Sequence, residues 1–194
     1  MNVLIACEFS GIVREEFIKL GHIAVSIDLL PTEIDGPHIQ GNITQFRYSD
    51  SFWKTWDLMI GHPPCTRLSN SGVRWLQERN LWNDMVDAAN FFKFLLNAPV
   101  PRIVIENPIP HKYAVEIIGR KYDQLIQPYQ FSHPETKATC LWLKNLPLLQ
   151  PTKIVDGRTP RVHYEPPSPD RWKNRSRTYS GIARALAAQY GNLP

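Results

Sequence analysis

Residues 2–29, NVLIACEFSGIVREEFIKLGHIAVSIDL, decide the fold. An apolar, β-rich run at 2–7, NVLIAC, ends at the turn Phe9-Ser10-Gly11. A helical pattern follows, with Val13, Phe17 and Leu20 spaced to share one face, and Gly21 is placed to cap its C-terminus. Residues 22–29, HIAVSIDL, read as a second strand with Asp28 at its tip. Strand, helix and strand in this order predict a β-α-β unit. Such units build parallel sheets, whose ligands bind beyond the carboxyl ends of the strands.

Outward from this unit the pattern continues less cleanly. Residues 56–61, WDLMIG, predict a third strand, followed by the loop HPPCTRLSNSG. An amphipathic pattern over 78–97 predicts a long helix, in which Phe91, Phe92, Phe94, Leu95 and Leu96 supply core. Residues 102–106, RIVIE, read as a buried strand running into Asn107-Pro108. A helix over 111–119 and strand-like material near 124–131 and 138–143 come next. Residues 151–177 shift to Pro, Arg and His with little periodicity, which predicts an extended surface segment. Residues 182–190 have the Ala-rich composition of a final helix. The expected class is α/β with a mostly parallel sheet, in one domain over 1–194.

Composition narrows the function classes. An apolar share of 43% and a charged share of 21% are ordinary for a soluble globular protein with a real core. No apolar window approaches membrane-spanning length, and the N-terminus reads as a buried strand rather than a leader. Cys7, Cys65 and Cys140 are odd in number and widely spaced, which suits free thiols in a reducing cytoplasm. Neither they nor His38, His111 and His133 have the spacing of a metal site, so no metal is expected. Residues 151–194 carry eight Lys/Arg against three Asp/Glu, whereas residues 1–150 carry fourteen against fifteen. The basic charge sits in the tail, where it suits a phosphate backbone or simply a solvated surface.

Three groups of residues carry candidate chemistry. His62-Pro63-Pro64-Cys65-Thr66 directly follows a predicted strand, and its two prolines restrict the backbone that holds the thiol. A thiolate suits attack on an electron-poor carbon, although a lone cysteine is more often a small buried hydrophobe. Glu106-Asn107-Pro108 also ends a strand. A carboxyl there can bond or protonate a pyrimidine N3 if it is protonated, or shares a proton, near neutral pH, which burial would favour. The third group reads as a nucleoside-cofactor site. Phe9, Ser10 and Gly11 precede a helix N-terminus that can meet a carboxylate-bearing ligand. Asp28 is placed for ribose hydroxyls, and Asn42 in Gly41-Asn42-Ile43 for an adenine edge. No GxGxxG is present, which disfavours a dinucleotide.

In this order the pieces resemble the DNA cytosine-5 methyltransferases, and more closely their short phage-type members. ACEFSG is similar to the family's first cofactor motif, Asp28 to its ribose-binding acid, and GNITQF to its GDI segment with Asn42 in place of Asp. DLMIGHPPCTRLS resembles the Pro-Cys nucleophile motif and IENP the Glu-Asn-Val motif. TYSGIARALAAQYGN is similar to the last motif, whose helix returns beside the first strand. Pro-Pro-Cys followed about forty residues later by Glu-Asn is the most specific part.

The resemblance implies a Rossmann-like fold that uses S-adenosyl-L-methionine. Phe9, Ser10, Gly11, Asp28, Asn42, Pro63 and Ser180 would line the cofactor, with Cys65 as nucleophile and Glu106 at N3. It also implies action on cytosine-containing DNA, for a phage protein in the cytoplasm of a bacterial host, with the target base outside the stack. The family's Gln-x-Arg-x-Arg element has no clean counterpart; Lys137 in ETKATCLWL stands near the expected place. A separate target-recognition domain is not expected within these residues, so the basic, Pro-rich segment 151–177 is the candidate substitute. There Arg171, Lys173 and Arg175 would meet DNA, while Trp172 and Tyr164 would stack on bases or anchor the segment. Loop 67–77 would close over the base with Arg67, Ser69 and Arg74. A homodimer supplying the missing surface is compatible with the sequence. So are a pyrimidine methyltransferase for RNA or free nucleotide, and a weakened, nucleic-acid-binding or inhibitory relative.

Overall fold

Seven strands form one sheet at the centre of the computed structural model, which describes residues 1–193. They are β1 (Asn2–Ala6), β2 (Ile23–Asp28), β3 (His38–Gln40), β4 (Leu58–Gly61), β5 (Arg102–Pro108), β6 (Gln124–Ile126) and β7 (Thr139–Lys144). Their order is β3-β2-β1-β4-β5-β7-β6. Strands β1 to β5 pair in parallel, whereas β7 lies antiparallel between β5 and β6. The helices are α1 (Ile12–Lys19), α2 (Asp50–Lys54), α3 (Arg74–Glu78), α4 (Trp82–Leu96), α5 (Lys112–Ile118), α6 (Arg171–Ser176) and α7 (Ser180–Tyr190).

Both sheet faces are buried, as a parallel sheet requires. Leu4, Met59, Ile103 and Ile105 pack with Ala89, Phe92 and Leu95 of α4 on one face. Val3, Ile5, Leu58, Ile60 and Val104 pack with Val13 and Phe17 of α1 and with Ile182 and Leu186 of α7 on the other. Alternation along each strand sends successive side chains to opposite cores. At Gly181 an added Cβ would lie 1.8 Å from the Phe131 carbonyl oxygen, so only glycine lets α7 begin there.

The strand order reverses between β1 and β4, which opens the crevice where α/β sheets bind ligands. The register across this point sets the site. Ile27, Ala6, Gly61 and Ile105 form one row across β2, β1, β4 and β5. The next residue on each chain is Asp28, Cys7, His62 and Glu106, and the His62 amide continues the ladder to the Ala6 carbonyl at 2.9 Å. Four titratable side chains therefore stand together at the carboxyl edge.

Several expectations require correction. The three-residue β3 falls in a stretch too short and polar for a periodic signal. The third strand begins at Leu58, since Trp56 belongs to the core ahead of it. The long helix begins at Trp82 rather than 78, because Asn80 takes a positive φ of 49°. Loop 67–77 contains a 3-10 turn at Asn70–Gly72 and most of α3. The segment 151–177 ends in α6 rather than staying extended, and the last helix starts at Ser180. Leu20 is 49% exposed, so the inward face of α1 is Val13 and Phe17. Cys7 lies past β1, with a φ of 60°. Phe92, Leu95 and Leu96 are buried as expected, with Phe91 and Phe94 partly so. No helix among the described residues is long and apolar enough to cross a membrane.

Candidate active site

The Cys65 loop is held from both ends. Asn107, buried in β5, donates from Nδ2 to the Pro63 carbonyl at 2.9 Å. His111, also buried, pairs Nε2 with the Arg67 carbonyl at 2.8 Å, and its backbone N–H donates to Leu68. The Leu68 and Ser69 amides turn back on the Cys65 carbonyl. The loop that carries the thiol is thereby tied to the tip of β5. Burial pushes the thiol upward in pKa; the Lys137 ammonium opposes this, the Glu106 charge adds to it, and Arg175 acts with Lys137. At rest the sulfur is therefore a thiol within electrostatic reach of one carboxylate and two cations, and it must lose its proton to attack.

Two opposing influences act on Glu106. Burial alone would favour its protonated form, as expected from the sequence. Yet His62 Nδ1 lies 2.9 Å from Glu106 Oε2, and this bond, with the charges of Lys137 and His62, holds the carboxyl below its ordinary range. His62 itself escaped the sequence reading. Its signal was its place one residue beyond a strand, in register with Glu106.

Lys137 arrives from the loop ahead of β7 and donates to the Arg175 carbonyl at 3.0 Å. That bond draws α6 toward the site, so Arg175 is half-buried and its charge reaches Cys65 instead of pointing outward. The sequence identified one cation near Cys65; the structure supplies a second.

On the cofactor side the residues divide. The N-terminus of α1 is closed to a ligand carboxylate, because Glu8 accepts from the amides of Val13 and Arg14 at 2.6 and 3.2 Å. Ser10 Oγ bonds Glu8 and the Ile12 amide, and Gly11, at φ 73°, packs on the buried Arg14 guanidinium. These two shape the turn. Phe9 meets Trp172 of α6 with centroids 6.0 Å apart and lies 5.9 Å from the Arg177 guanidinium, which pairs with Glu33. Asp28 is half-buried and spends one oxygen on the Leu30 amide; burial raises its carboxyl. Asn42 caps the 3-10 turn Ile43–Phe46 through its carbonyl oxygen, while no hydrogen bond among the described residues engages its amide nitrogen. Pro63 is buried, and Ser180 starts α7 with Oγ 3.5 Å from His133. An acid and an amide suited to a nucleoside thus remain at the β2–β3 edge.

The expected nucleic-acid contacts also sort by geometry. Arg67 pairs with Asp84 at 3.3 Å, and Ser69 is buried with its Oγ on Ser71. Arg74 is exposed and stacks on Trp75, 4.3 Å from the ring centroid, while Arg79 covers the same ring at 4.2 Å. Arg171 donates to the Glu165 carbonyl, and Lys173 lies 4.0 Å from Asp170. Tyr164 and Trp172 are both exposed, Trp172 while tilted against Phe9. A cavity of about 280 Å³ lined by Arg161, Glu165, Asn174 and Arg177 contains none of the reacting groups, and its arginines are paired with Glu135 and Glu33.

No family model and no curated protein matches the sequence. Solved structures are similar in fold. One is a protein encoded within a prophage of E. coli and described as a DNA modification methyltransferase, at 15% identity and a TM-score of 0.53. Another is the methyltransferase EhMeth of Entamoeba histolytica, at 14% identity and 0.51. The likeness covers 87% of this chain in both cases, but 56% and 60% of the other two. The chain thus spans less than two thirds of the length of either. At such identity the likeness establishes the α/β methyltransferase fold with its mostly parallel sheet.

Proposed function

We propose that this chain belongs to the DNA cytosine-5 methyltransferases and methylates cytosine C5 in DNA through a covalent bond from Cys65 to C6. One observation carries this reading. The Asn107–Pro63 bond ties the Cys65 loop to the strand that bears Glu106, and the Glu106 charge is felt at the thiol. A nucleophile and a carboxylate on neighbouring strand tips are what addition to a pyrimidine needs.

S-adenosyl-L-methionine fits the nucleoside-facing residues, with Asp28 toward ribose, the Asn42 amide toward adenine and Phe9 against the ligand's apolar side; α1 offers its carboxylate nothing. When bound, it supplies an electrophilic methyl group. The chain's own residues do the rest. Sulfur bonds C6, and the displaced electron pair passes through the ring to N3. In net terms the thiol hydrogen ends at N3, with Glu106 accepting it and passing it on. Lys137 and Arg175 offset the negative charge that develops on sulfur as its proton leaves. After C5 is methylated, the C5 proton passes to water, the electron pair it leaves expels sulfur from C6, and the N3 proton returns by way of Glu106 to the departing sulfur, which restores the ring and the thiol. The segment 151–177 serves as recognition surface, together with the exposed Arg74, which stacks on Trp75.

Trapping on duplex DNA containing 5-fluorocytosine tests the covalent step, because fluorine at C5 cannot leave as a proton does. A stable protein–DNA adduct is expected, absent in Cys65→Ala, which should stay folded and transfer no methyl. Glu106→Gln should lower turnover by about a hundredfold or more. Labelled donor offered with duplex DNA, single strands, RNA and dCMP separates the substrate classes; transfer to dCMP alone would reject the DNA reading.

A further inference from the structure

His62 has no part in the chemistry above, yet it occupies the centre of the site. Its Nδ1 meets Glu106 Oε2 at 2.9 Å, and both side chains are only 12% exposed. Its Nε2 is buried without a hydrogen-bond partner among the described residues. Facing it are Glu106 on β5, Glu8 after β1, Asp28 on β2 and Lys137 ahead of β7. Its backbone cannot drift, since the amide is fixed to Ala6.

We propose that His62 is a positioning residue for Glu106, its Nδ1–H gripping Oε2 so that Oε1 is presented to the pyrimidine. Oε1 accepts no hydrogen bond that the described residues donate, which leaves it for the base. The imidazolium also supplies a counter-charge beside the carboxylate, which would otherwise oppose ionisation of Cys65. Burial disfavours that imidazolium, but the bond and charge of Glu106, with the charge of Glu8, hold His62 above its ordinary pKa. The charged pair therefore outlasts the pH at which an ordinary histidine loses its proton, and dissolves as pH rises past the raised His62 value.

This inference rests on the methyltransferase reading, so its test has one arm that needs no substrate. In the native chain the His62 ring nitrogens, followed by NMR, should titrate above the ordinary histidine range, and Glu106→Gln should bring them down. An unchanged titration in Glu106→Gln would overturn the pairing even if no nucleic acid proved to be a substrate. In single-turnover transfer to duplex DNA, His62→Ala should slow the reaction about ten- to a hundredfold, the cost of one hydrogen bond to a charged group. Affinity for S-adenosylmethionine should be unchanged. His62→Asn, whose amide N–H can replace Nδ1–H, should recover most of the neutral rate but lack the native alkaline fall. A native rate in folded His62→Ala, or one pH profile shared by all three proteins, would refute the role. Failure of the native chain to transfer methyl to any nucleic acid would instead sink the functional reading.

Discussion

Asn107→Ala cuts the bond that couples the two halves of the site, and its cost can be worked from the structure. The carboxamide is 2% exposed, and its Nδ2 reaches the Pro63 carbonyl, 44 residues away, at 2.9 Å. Losing a neutral bond and leaving that buried carbonyl without its donor costs about 1–3 kcal/mol. Against this, Asn107 Oδ1 is itself buried without a partner among the described residues, so its removal returns roughly 1 kcal/mol. The net destabilisation is about 1–2 kcal/mol, which in a chain of this length lowers Tm by about 2–8 °C. The chain stays folded, but the Cys65 loop loses its register against β5. Because a misplacement near 1 Å can cost about a hundredfold in rate, methyl transfer should fall by at least about tenfold. Calorimetry and single-turnover transfer on the same preparation check both numbers. A lowered Tm with native turnover would show that the bond stabilises the fold without aligning the site. Unchanged Tm and turnover would refute the reasoning altogether.

Three further outcomes are expected. Lys137→Ala removes the stronger of the two cationic influences on Cys65, so its thiol should rise further and alkylate about three- to tenfold more slowly near pH 8, read by mass spectrometry of the Cys65 peptide. A faster reaction would mean that the ammonium is not felt at sulfur. Gly181→Ala should destabilise by about 3 kcal/mol or more, since the Phe131 carbonyl is backbone and cannot move aside; denaturant unfolding measures it, and a native midpoint would contradict the α7 packing. The Tm difference between the native chain and His62→Asn should depend on pH with a definite sign. The raised His62 contributes fully below its ordinary pKa of about 6.5 and less as pH climbs through its folded value. The lowered Glu106 contributes above about 4.3 and less as pH falls through its folded value. The difference should therefore peak between these limits, and a difference that grows steadily above pH 8 would reverse the assignment.

The sequence by itself determined the parts that depend on near neighbours. Residues 2–29 specified strand, helix and strand through apolar period and turn residues, and the tips bearing Asp28, Cys65 and Glu106 followed from where apolar runs stop. Hydrophobic period is a local signal, and for β1, α1, β2 and β5 local preference and tertiary packing agree. Tertiary structure alone decided how the tips combine. His62 and Glu106 meet because β4 and β5 pair in parallel at one register, and Asn107 reaches Pro63 for the same reason. Lys137 joins Arg175, and Phe9 joins Trp172, only because the chain after β7 returns across the carboxyl edge. The charge state of Glu106 turned on this assembly. Burial, foreseeable from an apolar strand, pointed one way, while a histidine 44 positions earlier reversed it. Such couplings act through space at a few ångströms between residues far apart in the chain, where periodicity and spacing carry no record of them.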